Sequence, residues 1–537
     1  MLLFNREVLS NVKNIRRTFI EINIKIIAAI PIFFYGLSQT WPAPHAPSLT
    51  EAQTSWLLSG VHLAAPAALV VAGAAADRLG RRRLLLAGAA CAVTSWLLSG
   101  VHLAAALVVA GAGADRLGRR RLLLAGAACA VLSSIIKLSS SSPAALISSQ
   151  VVGGLGAGAL VIGPLYVQEM TGGSRSGYCQ WVVLSLALGN LSSFILGELV
   201  SVSTASWLVL AAQVTALAAQ ACLPDTPNYY VMKGNNKKAS ETLCWLKCVN
   251  STDITVRDDV NSLTIEQVHE STKLSPSRIF ADKTTIEAFF IVLLLTVLRE
   301  LCGSLTILTY SNEIFDAADR FTPTNCFILT SNQQGILVAM AAVLGLMLSC
   351  LIVNHCGAKP LLLASTMLIS LSTSLLGVWY FVSHHGVALP GWVPAAAACA
   401  GSLADAVGLR LVCFSVVTEM FYHRIHHTAS TIFIAITALI NLGQTRFFLP
   451  LVSCIGYHHV FFIFSGISIL LFFYVVFNVP ETKVREVNEI YDELKEDNGA
   501  ITEDESDMVY PQLQDAILNE GSAYILTPFM SRRIWNR

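Results

Sequence analysis

The feature that most constrains this chain is a succession of apolar runs, each long enough to cross a lipid bilayer. An α-helix rises about 1.5 Å per residue, so about 20 apolar residues reach across a hydrocarbon core roughly 30 Å thick. Such runs fall near 22–41, 54–75, 122–140, 145–168, 178–200, 205–223, 286–311, 327–353, 360–382, 391–420, 427–451 and 457–479. In lipid every backbone polar group must be satisfied internally, and runs of this length select helices rather than barrel strands. The composition agrees. Apolar residues make up 54% of the 537 positions and charged residues 13%, about half the charged share of a soluble domain. A chain this poor in charge cannot clothe a globule of its size in polar surface, which argues against a soluble enzyme. Acidic and basic residues balance at 35 each, leaving no basic surplus for a nucleic-acid partner.

The runs divide the chain. A polar stretch at 224–284 separates six from six and carries Lys233, Lys237, Lys238, Lys247, Lys273 and Lys283. The expected organisation is a short N-terminus (1–21), a six-helix bundle (22–223), a linker with short helices (224–284), a second six-helix bundle (285–483) and a tail (484–537). The tail holds Glu503, Asp504, Glu505 and Asp507 and reads as largely disordered. The first residues carry Arg6, Lys13, Arg16 and Arg17 ahead of a long apolar run, the pattern of a first membrane helix rather than a cleaved leader. Basic residues gather at the N-terminus, after the second run, in the linker and at Arg424, while the alternate loops at 41–53, 201–204, 384–391 and 454–457 contain no Lys or Arg. The positive-inside rule then predicts cytosolic termini and a cytosolic linker.

One block breaks the regular layout. Residues 54–93 are repeated almost letter for letter at 94–131, without one Pro-Ala pair and with Gly113 where the first copy has Ala75. The apolar run between the two arginine clusters, Leu84–Ala114, is long for one crossing and short for two crossings and a turn. One crossing would place the two clusters on opposite sides and invert everything downstream. The charge pattern therefore predicts that only one copy belongs to the working fold.

Short polar motifs punctuate the helix ends. The second run is followed by Asp77-Arg78-Leu79-Gly80-Arg81-Arg82-Arg83, and the repeat supplies Asp115-Arg116-Leu117-Gly118-Arg119-Arg120-Arg121. A glycine permits a tight turn and an aspartate at a helix end can pair with a nearby arginine. The fourth run ends in Gly163-Pro164-Leu165-Tyr166-Val167-Gln168-Glu169, with Arg175 close behind, and the sixth in Leu223-Pro224-Asp225-Thr226-Pro227. The tenth ends in Thr418-Glu419 ahead of Arg424, and the twelfth in Pro480-Glu481-Thr482-Lys483.

In this order these motifs resemble those of the sugar porter branch of the major facilitator superfamily, above all insect facilitated trehalose transporters and glucose-type facilitators. The likeness covers about residues 25–490. It implies an all-α membrane protein of two six-helix bundles that rock about a central site in the plasma membrane, moving a small solute, a sugar such as trehalose or a hexose, with no cofactor. It also implies a latch of ion pairs at cytosolic helix ends: Asp77 or Asp115 with Arg81 or Arg119, Glu169 with Arg175, and Glu419 with Arg424. The motif positions Pro164, Tyr166, Pro224, Pro227, Pro480, Glu481, Thr482 and Lys483 carry the resemblance.

The resemblance places the substrate cavity at Val183, Arg299, Glu300, Gly303, Asp405, Arg410, Phe414 and Thr437. The family sets amide and indole groups at several of these positions; this chain sets Val183, Arg299-Glu300, Phe414 and Thr437. Ionisable groups at membrane depth are costly and normally face a cavity or a partner. Glu300 is expected to pair with Arg410, or Arg299 with Asp405, across the cavity; Arg299 and Glu300 as a structural pair nearer an interface is the other reading. Asp405 and Arg410 are five residues apart, which on an α-helix does not put them squarely on one face. Span one lacks an acid in its second half (Phe34-Tyr35-Gly36-Leu37-Ser38-Gln39), where proton-coupled relatives carry one, which points to downhill uniport. A carrier for another polar or charged solute and a transport-dead sensor remain the alternatives. Cys244 and Cys248 read as reduced thiols, and the pairs His384-His385, His426-His427 and His458-His459 read as helix-end residues rather than metal ligands. A monomer without nucleic-acid partners is expected.

Overall fold

The apolar runs form helices whose outer faces stay apolar. The computed structural model describes residues 2–40, 118–139, 143–154, 159–171, 175–249, 254–271, 283–321, 329–387, 389–410, 412 and 423–479. The first half comprises α1 (Leu2–Thr40), α2 (Arg119–Ser139), α3 (Pro143–Gly154), α4 (Ala159–Thr171), α5 (Arg175–Leu199) and α6 (Val202–Ala221). Three short helices follow: α7 (Pro227–Met232), α8 (Asn236–Lys247) and α9 (Ile254–Ser271). The second half comprises α10 (Lys283–Leu301), α11 (Ser304–Thr309), α12 (Ser311–Phe321), α13 (Ser331–Cys356), α14 (Ala358–His384), α15 (Trp392–Ala404), a π-helical turn (Asp405–Leu409), α16 (His423–Ile455) and α17 (Tyr457–Asn478). Among the described residues ten helical segments are long and apolar enough to cross a membrane, and there is no strand.

The distribution of polarity is that of a protein solvated by lipid. Leu351, Leu371 and Phe477 are 67%, 67% and 78% exposed, while Ser365, Thr366, Ser372, Thr373 and Ser468 are buried. Apolar side chains gain nothing from burial when the surroundings are acyl chains, so the interior is free to hold small and hydroxyl-bearing residues that let helices approach closely. The contact of α1 with α5 shows this. A β-carbon on Gly36 would collide with the Leu186 carbonyl, and one on Gly189 with the Phe33 carbonyl. In the second half α14 and α17 join through hydroxyls: Ser465 Oγ lies 2.6 Å from Ser374 Oγ and donates to the Ser370 carbonyl at 3.2 Å.

Two of the expected spans are interrupted. The seventh, read as one run over 286–311, breaks at Gly303, whose φ of +81° closes α10 and opens α11. A β-carbon there would also sit 2.6 Å from the Phe464 ring, so glycine is required on both counts. The tenth contains the π-turn. The linker region holds α7, capped by Thr226 Oγ1, and α8, capped by the Asn235 side chain; caps of this kind satisfy the free N–H groups of a first turn. The first copy of the repeated block, 54–93, and the tail lie outside the described residues. The second copy supplies the start of α2, whose buried residues include Arg119, Leu123 and Ala127.

Candidate functional site

The second half buries four charges together. Arg299 and Glu300 end α10, and the π-turn carries Asp405 with Arg410 directly after it. Arg299 Nη1 contacts Glu300 Oε1, and its Nη2 lies 3.9 Å from Asp405 Oδ1. Arg410 grips the other oxygen of the same carboxylate, with Nη2 2.7 Å and Nε 3.0 Å from Asp405 Oδ2. The acids are buried outright, their side chains 3% and 1% exposed against 18% and 10% for the arginines. Among the described residues two cations and two anions thus form one neutral network. Neutrality is what makes such burial tolerable, since an uncompensated charge at this depth would be very costly.

The π-turn overturns one sequence expectation. On an α-helix Asp405 and Arg410 would diverge, but here the Arg410 N–H donates to the Asp405 carbonyl, a bond from residue i+5 to residue i. The wide turn stacks positions five apart, so the two side chains meet. Of the two expected cross-pairings, the structure forms Arg299 with Asp405, while Arg410 turns to Asp405 rather than to Glu300.

Polar groups from α16 surround this network. Gln444 Nε2 donates to the Glu300 carbonyl at 2.9 Å and its Oε1 accepts from Thr306 Oγ1 at 3.2 Å. One amide thereby spans the break at Gly303, tying the end of α10 to α11. Asn441, one turn earlier, is buried on the same helix. Thr437 is half-buried on the same helix a further turn back. Sequence reasoning stopped at Thr437 and missed Asn441, Gln444 and Thr306. The available signal was the 441–444–445 spacing of Asn, Gln and Thr, one polar stripe on an otherwise apolar span. Val183 reaches the same region from the first half: with Ala187 it packs on Ala342 and Leu346 of α13 and on Ala406 of the π-turn. A small cavity nearby is lined by Ser304, Ile307, Val338, Thr373, Gly401 and Ser402. Phe414 lies outside the described residues.

The first half carries a simpler charged site. Arg119 Nε and Nη2 both reach Glu169 Oε1, at 3.1 and 2.8 Å, with the two side chains 6% and 7% exposed. The Arg120 N–H donates to Asp225 Oδ1 at 3.0 Å, and Tyr166 Oη donates to the Pro224 carbonyl at 2.7 Å. The arginine turn of the second copy, the end of α4 and the segment after α6 therefore converge. Pro227 is buried at the first position of α7, where a missing N–H costs nothing. The structure brings Glu169 to Arg119; the expected pairing with Arg175 falls on a side chain outside the described residues. Asp77, Arg81, Asp115, Glu419, Pro480, Glu481, Thr482 and Lys483, and the side chains of Pro164, Arg175 and Arg424, lie outside the described residues.

At the opposite end of α5 the halves touch. Glu198 accepts from Asn332 Nδ2 at 2.7 Å and from Gln333 Nε2 at 2.8 Å, both at the start of α13. Asn332 Nδ2 also donates to the Phe194 carbonyl at 3.3 Å.

Comparison with known proteins fits this arrangement of helices. Residues 101–494 match the model of the family described as sugar (and other) transporters, and the chain belongs to that family. The match opens inside the second copy of the repeat. A facilitated trehalose transporter homologue of Drosophila sechellia is 24% identical over 314 residues, 57% of this chain and 62% of the relative. The corresponding transporter of Drosophila yakuba is 24% identical over 316 residues, which make up 36% of its length. The aligned region thus spans between about a third and three fifths of such relatives. Among solved structures, the inward-open xylose transporter XylE of E. coli superposes with a TM-score of 0.64 at 16% identity, covering 88% of this chain and 99% of that one. The human organic anion transporter MFSD10 gives 0.52 at 18% identity, covering 85% and 99%. The fold is that of the major facilitator superfamily.

Proposed function

We propose that the chain is a facilitative sugar transporter, taking trehalose or a hexose by alternating access of two six-helix bundles (22–223 and 285–483) in the plasma membrane, as a monomer with cytosolic termini. The observation that carries this reading is the amide and hydroxyl set at the break of span seven. Gln444, Asn441 and Thr306 stand beside the Glu300–Arg299–Asp405–Arg410 network. Sugar hydroxyls need paired donors and acceptors. Gln444 uses one amide proton and one lone pair within the protein and keeps the others for a ligand. Val183, Arg299, Glu300, Gly303, Asp405, Arg410, Phe414 and Thr437 belong to the cavity wall in this reading. Arg119 with Glu169 forms the first-half latch, which Asp77, Arg81, Asp115 and Arg175 extend. Glu419 and Arg424 form its second-half counterpart.

The test is uptake of labelled trehalose and glucose by oocytes expressing the full chain and a version lacking Thr94–Val131. Because the copies are nearly identical, the deletion leaves one intact arginine turn joined to the remainder of α2. Saturable uptake that equilibrates without concentrating the sugar is the expected outcome. Both versions at the cell surface with no uptake would overturn the proposal for these substrates and direct attention to another polar or charged solute.

A further inference from the structure

The ends of α14 and α17 bring together two histidine pairs that lie far apart in the chain. His384 and His385 close α14, and His458 and His459 open α17. The His384 ring centre is 5.8 Å from that of His458 and 5.8 Å from that of His385, and the rings of His458 and His459 are 4.1 Å apart. His384, His385 and His459 are exposed and His458 is half-buried. A tetrahedral ion held at about 2.0–2.1 Å by two imidazole nitrogens sets their ring centres about 5 Å apart. The spacing across the helix ends is close to that value.

A second observation concerns the protons. His385 Nδ1 lies 2.8 Å from the Phe381 carbonyl, and His459 Nδ1 lies 2.6 Å from the Ile455 carbonyl. A carbonyl oxygen only accepts, so in both rings Nδ1 carries the hydrogen. In the neutral imidazole that leaves the Nε2 lone pair free. Donation of the other ring N–H to a backbone carbonyl is the arrangement that orients imidazoles toward a metal. One such ring comes from each helix.

We propose that this rim binds a first-row divalent transition cation such as Zn²⁺, with His384 and His458 bridging the two helices and the Nε2 atoms of His385 and His459 completing the donor set. Imidazole suits zinc, copper and nickel and has little affinity for calcium or magnesium. Among the described residues no three potential ligands are already gathered around one point; the ion gathers them, because exposed side chains change rotamer within nanoseconds. Close to the rim Tyr380 of α14 stacks on Tyr457 and Phe461 of α17, which holds the two helix ends together and limits what the rings must travel.

The experiment is equilibrium dialysis of the purified full chain in detergent against Zn²⁺ at pH 7.5. Saturable binding of about one ion per chain is expected. H384A/H458A is expected to weaken it about tenfold or more, and H426A/H427A to leave it unchanged. Binding is expected to vanish at pH 5.5, where imidazoles are protonated and cannot ligate. Wild-type binding in H384A/H385A/H458A/H459A, or none in the native chain, overturns the proposal. Should the quadruple variant fail to fold, Cu²⁺ on the native chain gives the answer. Electron paramagnetic resonance coupling to two or more imidazole nitrogens supports the site, and its absence sinks it.

Discussion

At the Arg119 end of the first half one arginine meets one carboxylate, whereas the second half sets two arginines and two carboxylates in one buried network. The difference lies in what happens when a partner leaves. Glu169 stands near the end of α4, two residues from its last position, where a released carboxylate has a short path to the headgroup region and water. Asp405 stands within a span between α15 and Arg410, at 1% side-chain exposure, and has no such path. In the proposed transport cycle, the first site suits an interaction that forms and breaks and the second one that persists.

The largest effect is therefore expected at the second site. Asp405→Asn removes one of the two carboxylates of the described network and leaves it with a net positive buried charge, at a cost of about 3–5 kcal/mol. Thermal melts followed by size-exclusion chromatography in detergent should show a large fall in melting temperature. D405N/R410Q, neutral again, should recover part of it. A D405N melt matching that of the native chain would show that the four charges do not depend on one another.

Arg119→Gln should do less, about 1–3 kcal/mol, with transport reduced more than stability. R119Q/E169Q should recover part of the loss in melts, since it also removes the buried carboxylate that R119Q leaves without Arg119. If the double variant melted no higher than R119Q, the loss would not come from the stranded carboxylate.

The smallest effect is expected where the halves touch. Glu198 is exposed and its bonds to Asn332 and Gln333 are open to water, so Glu198→Gln should shift stability by no more than about 0.5 kcal/mol. On the proposed function, the same change should redistribute the chain between its two facing states. Cysteine accessibility from each side of the membrane would report this, and an unchanged pattern would make the contact incidental.

How much of this was readable in advance depends on which periodicity governed each region. The spans were legible because a run of about 20 apolar residues admits one economical answer in lipid. The Arg119 site was half legible: the arginine turn, Glu169 and the segment after α6 announced themselves as motifs at helix ends, and the structure supplied their pairing. The Asp405–Arg410 contact was hidden because a spacing of five reads as divergence under a period of 3.6, and nothing obvious in Asp405-Ala406-Val407-Gly408-Leu409 signals a wider turn. Gly408, whose added β-carbon would sit 2.6 Å from the Leu361 carbonyl, marks where α14 crowds the turn, a constraint that belongs to the neighbour and not to the local sequence. Asn441 and Gln444 were missed because attention followed the resemblance to Thr437 instead of the polar stripe beyond it. The meeting of His384 with His458 was invisible for a similar reason: each pair looked like a helix end, and only the adjacency of α14 and α17 makes them neighbours.

The π-turn also acts as a rotational register. Relaxing it to α-helical winding, with the flanking residues fixed in order, would turn everything beyond Arg410 by about 100° about the helix axis and shift it by about 1.5 Å along it. The Asp405–Arg410 ion pair is therefore coupled to the π setting of this turn. Winding the turn back to α geometry would separate the Asp405 and Arg410 side chains.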